Sequence, residues 1–269
     1  TDYDINGTMT LGANAFTVNG SFDATGGAFT TTGTGTFAAT GSETLKSNGS
    51  VFQNVKFNGV GGGWTLQDNL SASGTLTVTN GTVDTNAAGN YAVTVTGTFD
   101  QSSTTSRFNA NSSVITLSGN GNFKADGTLS SAQYNSATLV LNGTSTLTYS
   151  NKSSYEWGFG SLTVGQNGNT TTLGAGNSLG VLSNLTIGSG LLTGVGTTYI
   201  NLTGSLNVDA SSQLAVTYLR LLGANQTIPT ITNGYDCTII PFLNTTITQG
   251  GNITMNGLNS LSVAGAGAG

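Results

Sequence analysis

The chain has 269 residues, only 6% of them charged: six Lys and Arg, eleven Asp and Glu and no His, for a net charge of −5. An ordinary domain is roughly 25% charged. Six scattered cations cannot displace the counterions of a nucleic acid, and no stretch reaches the roughly eighteen apolar residues of a membrane span.

Thr and Ser make up about 28% of the residues and Gly contributes 41. Val, Ile, Leu and Phe alternate with these small polar residues, so the chain has a core to bury and is not disordered. The opening Thr1-Asp2-Tyr3-Asp4 lacks the basic and apolar regions of a signal peptide. The single Cys237 excludes an intramolecular disulfide. Its simplest reading is a buried small apolar residue, with an intermolecular bridge as the alternative.

Period-two alternation predicts short strands along the whole chain, and a helical period fails nearly everywhere. Met9-Thr10-Leu11 and Phe16-Thr17-Val18 are strand-like close to the start. Leu76-Thr77-Val78, Tyr91 to Val95, Val114 to Leu117, Leu139-Val140-Leu141, Leu185-Thr186-Ile187 and Tyr199 to Leu202 follow. Ile253-Thr254-Met255 and Leu261-Ser262-Val263 are the last, before the low-complexity run Ala264 to Gly269. Most of these strands are soon followed by Asn-Gly, Ser-Gly or Thr-Gly, residues that supply the positive φ of tight corners.

One phrase occurs three times: Val18-Asn19-Gly20-Ser21-Phe22-Asp23, Val95-Thr96-Gly97-Thr98-Phe99-Asp100 and Leu202-Thr203-Gly204-Ser205-Leu206-Asn207. The last two lie 107 residues apart, and the same offset carries Phe52 to Phe57 onto Phe159 to Val164, and Leu66 onto Leu173. Internal duplication of a long unit decides architecture before other signals do. The segments read as 1–50, a partial first repeat and assembly segment; 51–157, a second repeat with inserted coils; 158–228, a third; and 229–269, a C-terminal assembly segment with its tail. Short strands with frequent corners predict an all-β, right-handed parallel β-solenoid of roughly ten to twelve coils, about 50 Å long at about 4.8 Å per coil. Its inward residues should include Val18, Phe22, Leu76, Val95, Phe99, Leu185, Leu202 and Leu206. The alternative is a β-sandwich subunit with donor-strand exchange.

The run Phe52-Gln53-Asn54-Val55-Lys56-Phe57, Trp64-Thr65-Leu66-Gln67-Asp68-Asn69-Leu70 and Gly74 to Asp84 resembles the phrase recurring in large prokaryotic β-strand-repeat surface proteins. These are akin to adhesins and autotransporter passengers. The resemblance covers about residues 10 to 230. It implies a secreted, Thr/Asn/Gly-rich parallel β-solenoid at the cell surface, and offers no catalytic residues to carry over.

Motifs that carry chemistry are few. Asp2-Tyr3-Asp4-Ile5-Asn6-Gly7 matches half of a calcium loop, but Ala13 stands where the bidentate acid belongs, so a polar strand start is the better reading. Asp23 and Asp100 recur at one point of the repeat where the third copy has Asn207, which reads as corner capping and not as a paired-carboxylate site. There is no His for base or metal duty. Lys46, Lys56, Lys124 and Lys152 stand in no catalytic motif, and Gly61-Gly62-Gly63 lacks the ending of a phosphate loop. Catalytic residues, cofactors and metal ligands are therefore expected to be none. Trp64, Trp157, Tyr149, Tyr155 and Phe159 form either a sugar-stacking platform or part of the core, and core is favoured.

Fourteen Asn-x-Ser/Thr sequons remain as glycosylation candidates: Asn6, Asn19, Asn48, Asn69, Asn80, Asn111, Asn142, Asn151, Asn169, Asn184, Asn201, Asn225, Asn244 and Asn252. In an archaeal or eukaryotic source, glycans at such sites would solubilise a charge-poor surface. The expected function is a non-enzymatic structural subunit of an extracellular filament or coat, polymerising with copies of itself by strand addition through residues 1–22 and 228–263. The alternative is a surface adhesin or glycan-binding module on a solenoid stalk. With so few titrating groups, its melting temperature is expected to change little between about pH 2 and 7.

Overall fold

The computed structural model describes residues 2–126, 133–150, 158–176, 178–232, 234–241 and 246–251. The chain is a parallel β-solenoid of about 11 turns, 56% strand and 2% helix. It divides into two compact units, Thr1–Ala137 with Tyr149–Asn151, and Thr138–Thr148 with Lys152–Gly269. No described helix is long and apolar enough to cross a membrane.

In the first unit each circuit crosses three faces, and the next circuit stacks on it in parallel register. One face carries the column Phe52, Ala72, Val95, Leu117. The second carries Gly35, Val55, Leu76, Phe99, Phe123. The third carries Phe22, Leu45, Leu66. Alternation places each of these residues inward, and most strands of this unit run two to five residues, Asn54–Leu66 and Leu76–Asp84 being longer. No single strand therefore needs a long uninterrupted apolar run.

The second unit repeats the plan. Phe159, Val181, Leu202 and Leu221 form one column; Leu139, Leu162, Leu185 and Leu206 a second; Leu192 and Leu214 lie on the third. A circuit takes from 19 residues (Tyr199 to Tyr218) to 26 (Ser145 to Thr171). The 107-residue offset spans several circuits: it carries Phe52, Val55 and Leu66, on three faces of one unit, onto Phe159, Leu162 and Leu173, on three faces of the other. Within the first unit the earliest phrase is placed differently from the second. Val18 stacks on Phe37 and Phe22 on Leu45, so it turns the next corner round the coil rather than the one turned by Val95 and Phe99.

All eight expected inward residues are buried, seven fully and Leu206 at 5% exposure. The two cores differ in chemistry. Phe22, Phe29, Phe37, Phe52, Phe57 and Trp64 form an unbroken aromatic cluster in the first unit, with centroids 5.1–6.4 Å apart. Phe99 and Phe123 stack at 4.8 Å, the spacing that the strands themselves impose. The second unit is filled mainly by Leu, Val and Ile.

The repeated corner explains its glycine in a way that differs from expectation. Gly97 and Gly204 do not adopt positive φ. A Cβ on Gly97 would lie 2.6 Å from the Gly74 carbonyl oxygen, and one on Gly204 would lie 1.5 Å from that of Ser183. Close approach of the coil beneath, not backbone handedness, requires glycine here. Positive φ falls instead at other corners, including Asn48, Asn86, Asn90, Asn111 and Asn167. Gly204→Ala should therefore destabilise the second unit by about 1–3 kcal/mol, as overpacking does. Thermal melts of wild type and variant measure it, and an unchanged melting temperature would contradict the clash.

Hydroxyl ladders up the outer faces are sparser than the composition suggests. Thr30 bonds Thr10 at 3.2 Å and Ser118 bonds Thr96 at 3.3 Å. Amides and carboxylates make more of the links between coils: the Asn80 amide donates to Asn58 Oδ1 at 2.8 Å, and Asn54 Oδ1 accepts from the Thr75 amide at 2.9 Å. The amide links hold the outer faces without placing charge on them.

Candidate functional sites on the coil surface

The acidic residues cap corners. Asp23 accepts from the hydroxyl and amide of Thr25, Asp100 from those of Ser102, and Asp209 from those of Ser211. The hydroxyl, then the amide, holds the Asp23 and Asp209 carboxyls below the usual range. The signal is Asp-x-Ser/Thr, and it falls at Asp209 in the third copy rather than at Asn207. Asp100 also pairs with Lys124 on the next coil at 3.6 Å, and Asp23 stands in register with Lys46. Each carboxylate is thus occupied at its own corner.

The half calcium loop is a strand start. Tyr3–Asp4 pairs with Phe22–Asp23, Ile5 is buried, and Asp2 Oδ1 accepts from the Ser21 amide at 2.9 Å. Among the described residues no group of three or more His, Cys, Asp or Glu is placed to hold a metal ion.

The sequons separate by geometry. Asn6, Asn19, Asn48, Asn69, Asn184 and Asn225 are exposed, and Asn80, Asn111, Asn142 and Asn169 half-buried. Three of the half-buried amides are spent on coil contacts: Asn80 on Asn58, Asn111 on Asp84 and Asn169 on the Asn142 carbonyl. Asn201 is 2% exposed. Its Nδ2 donates to Ser178 Oγ at 2.8 Å and its Oδ1 has no partner among the described residues. Asn151, Asn244 and Asn252 lie outside the described residues.

Trp64 and Phe159 are core residues, at 1% and 0% exposure. Trp157, Tyr155 and the Tyr149 side chain lie outside the described residues. An outward aromatic pair that the alternation conceals is Tyr199 and Tyr218. Their rings stack at 4.8 Å, with the Arg220 guanidinium 4.2 Å from the Tyr199 centroid. Register places two Tyr on successive coils, which only the 19-residue circuit reveals. Cys237 is fully buried. Desolvation, then the neighbouring Asp236 charge, pushes its thiol up to about 12, so it is inert at neutral pH.

One concavity stands apart on the first unit. Ser42, Gly63, Thr82 and Arg107 are register partners on four successive coils, and their side-chain positions face outward. The corner before Gly63 carries extra residues: Asn58 pairs with Asn80 and Gly63 with Thr82, leaving Gly59 to Gly62 to bulge beside Gly81. Two hollows of about 300 and 200 Å³ result. Both are lined by Gly61, Gly62 and Thr82; the first extends to Ser42, Thr65 and Asp84, the second to Thr104, Thr105 and Arg107. The Asp84 carboxylate accepts from the Asn86 amide and from the side chains of Asn109 and Asn111.

No protein-family model matches the chain, no curated protein matches it, and no solved structure matches it.

Proposed function

We propose that this chain is a structural subunit of an extracellular filament or surface coat, of the prokaryotic β-strand-repeat kind, whose copies join head to tail by strand addition. The observation that carries this reading is the state of the first coil. Tyr3–Asp4, Thr8–Thr10 and Phe16–Val18 each have one strand neighbour among the described residues: Phe22–Asp23, Ala28–Thr30 and Thr34–Phe37. Among the described residues their other backbone edge has no strand neighbour. Met9, Leu11 and Phe16 remain partly exposed there, whereas Phe22, Phe29 and Phe37 one coil on are at most 2% exposed. Unpaired strand edges with apolar side chains are templates for another chain. Thr238–Pro241 and Thr246–Gln249 likewise have one neighbour each among the described residues.

Joining two different surfaces of the same chain generates an open polymer where the rotation from copy to copy does not close into a ring. The remaining connector candidates, Ile253 to Met255 and Leu261 to Val263, lie outside the described residues. The charge-poor surface, the single buried thiol and the exposed sequons favour a place outside the cell. Asp23, Asp100 and Asp209 are engaged in corner capping, and no catalytic role is assigned to them. Deleting residues 1–12 removes two of these three strands, Tyr3–Asp4 and Thr8–Thr10. Polymers should then disappear by sedimentation while the β signal in circular dichroism persists. Normal polymers from the truncated chain would refute the proposed joint.

A further inference from the structure

We propose that the groove over Ser42, Gly63, Thr82 and Arg107 binds an acidic polysaccharide, with a sugar carboxylate on Arg107 and sugar hydroxyls on the surrounding Ser and Thr. The proposal is independent of the assembly reading, because the groove lies on the flank of later coils and not on the first.

Gly63 is the residue that makes the case. It sits inside the strand Asn54–Leu66, where glycine weakens the strand and has no side chain to pack. Its neighbours give structural reasons for being glycine. A Cβ on Gly59 or Gly62 would lie 1.8 or 2.0 Å from the Ala39 carbonyl oxygen, and Gly61 has φ of +76°. Gly63 gives none: its φ is not in the left-handed region, and a Cβ would meet only the Thr82 carbonyl oxygen, at 3.8 Å. Ser42 and Thr82, on either side in the same column, both carry side chains. The vacancy keeps the groove open where the fold itself would accept a side chain.

The lining chemistry defines the class of ligand. The hydroxyls of Ser42, Thr65, Thr82 and Thr104 and the Arg107 guanidinium have no hydrogen bond or ion pair among the described residues. Asp84, by contrast, is engaged by three donors. Hydroxyls that both donate and accept, set on a polar floor, match a polyol and not an apolar chain. One free guanidinium suits a carboxylate, and no second cation lines either hollow, so a phosphate at every unit, as in a nucleic acid, is not matched. Four stacked coils span about 14 Å at about 4.8 Å per step, which suits an extended chain of several sugar units.

Isothermal titration of the full chain with oligogalacturonate, and with a neutral glucose oligomer of equal length, tests this. The acidic oligomer should bind and the neutral one should bind at least about tenfold more weakly, with added salt eroding the difference. Arg107→Ala should weaken acidic binding about tenfold, and Gly63→Val, which fills the adjoining hollow over Ser42 and Thr65, should weaken it further. Val51→Ala, on another face, should leave binding unchanged. Circular dichroism checks that Gly63→Val is folded, and the exposed Arg107 carries the test if it is not. Absence of acidic binding, equal binding of the neutral oligomer, or unchanged binding by Arg107→Ala would each overturn the proposal.

Discussion

Replacing Phe52 by alanine should lower the stability of the first unit by about 3–5 kcal/mol. Phe52 is fully buried and its ring lies 5.7, 5.3 and 5.9 Å from those of Phe22, Phe29 and Phe37, so truncation leaves a hole beside all three rings. Coils held by their neighbours lose stability together when one layer is hollowed. Its chain neighbour Val51 points outward at 49% exposure, and Val51→Ala should change stability by no more than about 0.5 kcal/mol. Denaturant melts of the two variants measure the contrast. Equal effects would mean that the alternation of this strand is misassigned.

Stability should be lost on the alkaline side far more than on the acid side. Burial raises the thiol of Cys237 from 9.0 to about 12, and raises the phenol of Tyr235, whose hydroxyl donates to the Pro229 carbonyl at 2.7 Å. Burial also raises Tyr134 in the first unit, where its hydroxyl donates to Gln101. These acids stay protonated in the folded chain while the unfolded chain ionises. Their contribution is whole below about pH 9 and falls as pH rises towards 12. For Cys237 the loss is on the order of 4 kcal/mol across that window.

The acid side runs the other way but weakly. The lowered carboxyls of Asp23 and Asp209 contribute above about pH 4 and lose that contribution as pH falls through their folded values. Both lie at exposed corners, where solvent screens the gain. Melting temperatures should thus be nearly level from pH 7 down to about 2 and fall steeply above 9. Cys237→Ala should remove part of the alkaline fall in the second unit. A collapse near pH 4, or a level profile through pH 11, would contradict the assignment.

Much of the architecture was legible from alternation and spacing. Val114–Leu117 and Tyr199–Leu202 are strands at their expected bounds, because Gly and Asn corners sit on both flanks. The length of the single coil was not legible. A column such as Phe52, Ala72, Val95, Leu117 keeps apolarity without keeping size, so identity returns only after several circuits. The corner glycines were visible, but not their reason: only the stacked coil shows Gly97 against Gly74. Asn201 reads as an ordinary sequon and proves buried, because burial of an outward position depends on what covers it. The groove escaped notice because Gly63 looks like one more corner glycine until its empty surroundings are measured.

The claim of open-ended assembly through the first coil meets its most direct test in electron microscopy of the purified full chain. The account predicts unbranched filaments that lengthen with protein concentration, as one open strand edge takes up the next copy. Discrete particles the size of one chain, persisting at every concentration, would contradict it.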